Sequence, residues 1–116
     1  VIELAEYLDE RGRSVFGDWK TGLDPTSRAR IQRALLRLEQ GNLAALKSVG
    51  EGVLEMRLDF GPGFRIYLAR DGATLILLLG GGTKHRQTRD IEAAIARWKN
   101  YKERKARHAK TNPPAL

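Results

Sequence analysis

Residues 53–84, VLEMRLDFGPGFRIYLARDGATLILLLGGGTK, constrain the fold more than any other part of this chain. They spell three strands and their turns without interruption. In Val53–Phe60 the apolar residues Leu54, Met56, Leu58 and Phe60 alternate with Glu55, Arg57 and Asp59. In Phe64–Ala69, Phe64, Ile66 and Leu68 alternate with Arg65 and Tyr67. Period-two patterning sends the two sets to opposite faces of a sheet. Gly61-Pro62-Gly63 and Asp71-Gly72 are hairpin signals between the runs. A three-residue first loop sets Phe60 opposite Phe64, Asp59 opposite Arg65 and Arg57 opposite Tyr67. Arg57, Arg65 and Tyr67 then form one patch beside Lys84. Leu75–Leu79 is apolar throughout, which predicts a central strand covered on both faces.

The flanking sequence supplies helices. Val1–Leu8 reads as a strand, with Ile2, Leu4 and Leu8 on one face. Ser14–Thr21 reads as a short helix capped by Ser14, with Val15, Phe16 and Trp19 turned inward and Gly22 just past its end. The next helix is the best signalled: Asp24 caps it, Pro25 takes its first position and Gly41 ends it. Ile31, Ala34, Leu35 and Leu38 make its apolar stripe, while Arg30, Arg33 and Arg37 share another face. Leu43–Gly52 reads as a connector holding one helical turn. A last helix is expected from Arg89 to Ala106, with Asp90 as a cap and Ile91, Ile95, Trp98 and Tyr101 or Lys102 as its seam.

The predicted class is α+β, in the order strand, two helices, three-stranded antiparallel meander, helix. The helices are expected on one face of a mostly antiparallel sheet, burying Leu54, Leu58, Ile66 and Leu77. The face with Arg57, Arg65 and Tyr67 stays partly open, with the last helix near its rim. One domain spans residues 1–106, and residues 107–116 are expected to be a basic, disordered tail.

Charge narrows the partners. Lys and Arg number 21 against 14 acidic residues, a formal +7 with a pI near 10.1. Such a balance favours a polyanion: nucleic acid, the ribosome or an acidic protein segment. No run of about 18 apolar residues suggests a membrane span, and no secretory pattern opens the chain. The absence of cysteine excludes disulfides and thiolate metal sites and fits an expected cytoplasmic location. With two isolated histidines and few carboxylates near the patch, neither a metal nor another cofactor is expected. Gly80-Gly81-Gly82 before Lys84 reads as a flexible loop and lacks the spacing of a phosphate-binding P-loop.

Together these residues carry a family resemblance. The segment from Gly52 to Trp98 is similar to the RelE/ParE superfamily of toxins, and more narrowly to its HigB-like, phage Gp49-like "addiction module killer" group. That group shows E-x-R-[IL]-D-[YF]-G-P-G-[YF]-R-[VI]-Y, an apolar strand, G-G-x-K, and R-D-I opening the last helix. Glu55, Arg57, Asp59, Gly61, Pro62, Gly63, Arg65, Tyr67, Gly82, Lys84, Arg89, Asp90 and Ile91 stand at those positions. The N-terminal strand, the Phe16/Trp19 helix and the LxxLEQGN segment ending at Asn42 extend the likeness, which covers the chain to about Arg104.

The resemblance implies a RelE-like fold and a type II toxin neutralised by a small antitoxin encoded beside it, with a helix-turn-helix domain as in HigA-like antitoxins. RelE-like members cleave messenger RNA, usually in the ribosomal A site. ParE-like members inhibit DNA gyrase without cleavage, which is the alternative outcome. The well-known ribosome-dependent members carry a tyrosine or histidine near the last helix; here that region reads Arg89-Asp90-Ile91 after His85 and Arg86.

Cleavage of RNA by its own 2′-hydroxyl requires proton removal, charge stabilisation at phosphorus and protonation of the leaving 5′-oxygen. Arg65 and Arg57 suit the second task, because guanidinium groups match phosphate oxygens and stay charged. Lys84 can supply charge or a proton. His85 is the side-chain type nearby that titrates near neutrality, Asp90 can orient a base, and Tyr67 can stack on one. Arg86 joins the basic stretch, and Arg30, Arg33 and Arg37 are candidates for contact with RNA, the ribosome or the antitoxin. The expected activity is metal-independent, ribosome-assisted cleavage of messenger RNA.

Overall fold

The alternating segments pair into a single mixed sheet flanked by three helices, an α+β arrangement. The computed structural model describes residues 1–111. In chain order the elements are β1 (Glu3–Glu6), α1 (Val15–Thr21), α2 (Pro25–Glu39), β2 (Leu46–Gly50), β3 (Val53–Leu58), β4 (Phe64–Asp71), β5 (Leu75–Thr83), a 3₁₀ turn (Lys84–Arg86) and α3 (Gln87–Thr111). The strands lie in the order β1-β5-β4-β3-β2. β1 runs parallel to β5, and the other pairs are antiparallel.

Local chemistry explains the helix starts. Ser14 accepts a hydrogen bond from the Gly17 amide at 2.9 Å, and Asp24 accepts one from Ser27 at 3.1 Å. Each supplies an acceptor for an amide that the first helical turn leaves unpaired. Chain direction reverses after α2 at Gly41, whose φ of 86° suits a residue without a Cβ.

Two cores sandwich the sheet. On one face, Phe16 of α1 and Ile31, Ala34, Leu35 and Leu38 of α2 pack on Met56, Ile66, Leu68, Ile76 and Leu78. On the other, Ala94 and Trp98 of α3 pack on Val53, Tyr67, Ala69, Leu77 and Leu79. Fully burying a side chain such as Ile66 contributes about 1.5–3 kcal/mol.

Several expectations change. Helices cover both faces, because Ala94, with no exposed surface, lets α3 lie close on the sheet. Leu77 sits opposite Ala69 and shares its face with Tyr67, away from Ile66. The first strand is shorter than Val1–Leu8, and Leu8 is exposed, bridging Ser14. The supposed connector contains β2, making the meander four-stranded. Its two half-buried residues, Leu46 and Val49, are three apart because they pack on opposite faces, Leu46 against the α1/α2 core and Val49 against the α3 core. Continuing to Thr111, α3 makes residues 107–111 helical; the rest of the expected tail lies outside the described residues. Among the described residues, no helix is long and apolar enough to cross a membrane.

The first hairpin pairs Leu58 with Phe64, Arg57 with Arg65 and Glu55 with Tyr67. Relative to the expected three-residue loop, the register moves by two residues, so every side chain keeps its face while changing its neighbour. The triple glycine is not a loop. Gly80, Gly81 and Gly82 lie inside β5, because the packed molecule leaves no room for side chains there. A Cβ on Gly81 would overlap the Trp19 ring, and one on Gly82 would overlap the Asp90 carboxylate.

Candidate functional site

A polar cluster occupies the end of the sheet where β3, β4 and β5 meet the start of α3. Arg65 faces Arg57 on one side and Gly82 on the other. Two adjacent guanidinium groups repel, and the nearby Glu55 opposes that repulsion. Glu55 is fully buried, accepts from Arg57 Nε at 2.9 Å and accepts from Gln87 Nε2 at 2.7 Å. Its carboxylate thereby ties β3 to the first residue of α3. The hydrogen bond and charge of Glu55 raise the pKa of Arg57 further, and Arg57 remains half exposed.

Arg65 is only 7 % exposed. Its Nη1 donates to the Phe64 carbonyl at 3.0 Å, while its Nε has no hydrogen-bond partner. The Tyr67 hydroxyl, fully buried, also has none. Leaving a buried donor unpaired costs about 1–3 kcal/mol, so Arg65 Nε is a stability deficit placed in the polar cluster. Burial first, and then the neighbouring Glu55 carboxylate, pushes the Tyr67 phenol far up and keeps it neutral.

Lys84 enters through the turn. Its amide donates to the Gly63 carbonyl at 2.9 Å. Gly63 has φ 80°, and a Cβ there would come within 3.2 Å of Lys84 Cδ and 3.6 Å of Arg65 Nη1. The bare glycine therefore lets both cationic chains pass over the hairpin. Beyond it, Lys84, His85, Arg86, Gln87, Thr88 and Arg89 line a polar cleft of ≈ 380 Å³. Asp90 lies over Gly82 in the first turn of α3. Burial raises its carboxyl pKa, against the lowering effects of Arg86, Arg97 and Arg89. Arg97 donates to the Leu79 carbonyl at 3.0 Å, and its own burial lowers its pKa.

An uncharacterized protein of Haemophilus influenzae is 39% identical to this chain over 80 residues, spanning 68% of this chain and 81% of that protein. The chain belongs to the same family. No family model matches it.

Within this member of that family, Arg57, Arg65 and Lys84 come together as expected from the sequence, with His85 and Arg86 exposed beside them. Three expectations fail. Arg65 lies beneath the surface rather than on an open face, because α3 covers it. Tyr67 cannot stack on a base, since no part of it reaches solvent. Asp90 is not the helix cap, because α3 already begins at Gln87. Arg30, Arg33 and Arg37 are exposed and lie apart from the cluster, on α2, where they share a second cleft with Arg57. Glu55 and Gln87 were not anticipated as site residues, although a glutamate two places before Arg57 on the same strand face was the available signal for Glu55. Among the described residues, no three His, Asp or Glu side chains converge in a way that could hold a metal ion. A more apolar cleft of ≈ 390 Å³ between β1 and α3, lined in part by Tyr7, Leu77 and Tyr101, contains none of the expected site residues.

Proposed function

We propose that this protein is a toxin of the RelE/ParE superfamily, HigB-like in type, that stops translation by cleaving messenger RNA and is held in check by a small antitoxin. The observation that carries this reading is the cationic cluster at one end of the sheet: Arg57 stands opposite Arg65 across β3 and β4, and Arg65 and Lys84 both lie against Gly63, next to a polar cleft that begins at Lys84. A strand, two helices, an antiparallel meander and a last helix fit the RelE-like fold implied by the motif resemblance.

In this reading the 2′-hydroxyl attacks the adjacent phosphorus, forming a 2′,3′-cyclic phosphate as the bond to the 5′-oxygen breaks. Arg65 and Arg57 stabilise the charge that builds on the phosphate oxygens. Glu55 and Gln87 keep Arg57 from swinging away. Lys84 donates the proton taken by the leaving 5′-oxygen, and His85 removes the proton of the attacking hydroxyl. None of these steps calls on a metal or another cofactor. The ribosome presents the messenger, and the reaction takes place in the cytoplasm.

Primer-extension mapping after brief induction tests the proposal. New transcript ends at defined codon positions are expected, and Arg65→Gln should lower cleavage by about 10²–10³-fold while the circular dichroism spectrum stays that of the wild type. Intact transcripts together with trapped gyrase–DNA complexes would reassign the protein to non-enzymatic gyrase inhibition. A small helix-turn-helix protein encoded next to this gene should bind tightly and restore growth, with association slowing as salt rises.

A further inference from the structure

A second basic cleft lies on the α2 side of the same sheet end. Of ≈ 420 Å³, it is lined by Arg30, Arg33 and Arg37 of α2, and by Arg57, Asp59 and Phe60 at the end of β3. The three helix residues fall within a stripe of about 60° that rises roughly 10 Å along α2, by the geometry of 3.6 residues per turn and 1.5 Å per residue. Among the described residues none of the three forms an ion pair. Charge of one sign thus gathers along one wall, with Asp59 the acidic residue of the lining.

The opposite wall is open for a structural reason. β2 pairs with β3 only between Val53 and Met56, so Arg57 and the turn after it have no outer strand. Arg57 consequently borders this cleft while its Nε is held by Glu55 of the polar cluster. It is the link between the two basic regions.

An aromatic relay makes the cleft more than a charged surface. The Arg30 guanidinium lies 4.8 Å over the Phe60 ring, Phe60 packs on Phe64 at 5.2 Å, and Phe64 meets Trp19 at 5.9 Å. Arg30 is therefore a flat cation braced from below by core aromatics, and exposed guanidinium planes of this kind accept stacked bases.

We propose that this cleft is a docking groove for unpaired RNA, in which Arg33 and Arg37 hold successive phosphates, Arg30 carries a stacked base and Arg57 passes the strand to the cleavage site. The proposal rests on the RNA-directed reading of that site. An acidic peptide would satisfy the charges but gains nothing from the braced Arg30 plane, which is why RNA is the favoured occupant.

The test uses the full chain and a short, unpaired 2′-O-methyl oligoribonucleotide that cannot be cleaved, with binding followed by fluorescence anisotropy across a salt series. The triple variant Arg30→Ala, Arg33→Ala, Arg37→Ala should bind at least about tenfold more weakly, with the slope of log K against log salt shallower by about 1.4 for the two lost phosphate contacts. Restoring Arg30 alone should recover affinity for purine-rich more than for abasic oligonucleotides. Equal affinity and slope in wild type and triple variant would overturn the groove while leaving the cleavage proposal standing. No binding of the free oligonucleotide by wild type would also overturn the groove, while the cleavage reading stands or falls with the mapped transcript ends. Competition by polyglutamate as effective as by RNA would reassign the groove to an acidic protein segment and overturn the proposal.

Discussion

The two faces of this sheet bury different chemistry. Under α1 and α2 the contacts are aliphatic and aromatic throughout. Under α3 the packing of Tyr67, Leu77, Leu79, Ala94 and Trp98 gives way, towards the end of the strands, to Glu55, Arg65, Asp90 and Arg97. Desolvating such groups is costly unless every donor and acceptor is matched, and here Arg65 Nε and the Tyr67 hydroxyl are not. One face holds the molecule together; the other spends part of that stability on holding charged groups in fixed positions.

The most severe way to break this contrast is to truncate the apolar face. Ile66→Ala removes a fully buried side chain and should lower unfolding free energy by about 2–5 kcal/mol in urea titrations. Activity per folded molecule should change little. If cleavage fell as far as stability without unfolding, the two faces would not be separable.

Neighbouring glycines of β5 sharpen the comparison, since they point to opposite faces. Gly81→Ala pushes a methyl group into the Trp19 ring and should cost about 1–3 kcal/mol. Gly82→Ala displaces the Asp90 carboxylate, the end of a side chain that can move. Its effect on thermal unfolding should be the smaller of the two and its effect on cleavage the larger. Equal losses of stability would contradict the assignment of Asp90 to the site.

The mildest test is Asp90→Asn. Burial raises the Asp90 carboxyl above its ordinary value of 3.8. For an acid with a raised folded-state pKa, the charged form is disfavoured by folding, so the residue subtracts stability above its unfolded value and nothing below it. Asp90→Asn should accordingly stabilise the protein slightly at pH 7, with the gain vanishing by about pH 3. Urea midpoints at the two pH values measure this. A loss of stability at pH 7 would mean that the arginines around Asp90 outweigh its burial.

The parts legible in the sequence were those whose cause is local. Ser14 and Asp24 cap their helices through amides three residues away, and the stripe Ile31, Ala34, Leu35, Leu38 follows from helical periodicity. The alternation in β3 and β4 assigned Arg57 and Arg65 to one face correctly, and a register off by two residues did not disturb that. What escaped was decided at a distance. Gly80–Gly82 resembled a loop because the residues excluding their side chains, Trp19, Asp90 and Arg97, come from two helices elsewhere in the chain. Residues 46–50 escaped because this edge strand gives only one apolar residue to each face, Leu46 to one and Val49 to the other, too few to show an alternation. Tyr67 was placed on the right face, but its burial depended on how closely α3 approaches, which Ala94 permits and no pattern in β4 announces.

The parallel pairing of β1 with β5 has a consequence for the order in which the molecule is assembled. Glu3 finds its partner Leu75 only roughly 70 residues later in the chain, whereas β2 to β5 pair with sequence neighbours. A ribosome making this protein releases its first strand long before there is anything for that strand to join. Until β5 emerges, the unpaired edge of the opening segment is available to any passing extended peptide. β1 is thus the last strand of this sheet to gain a partner, although it is made before the other four.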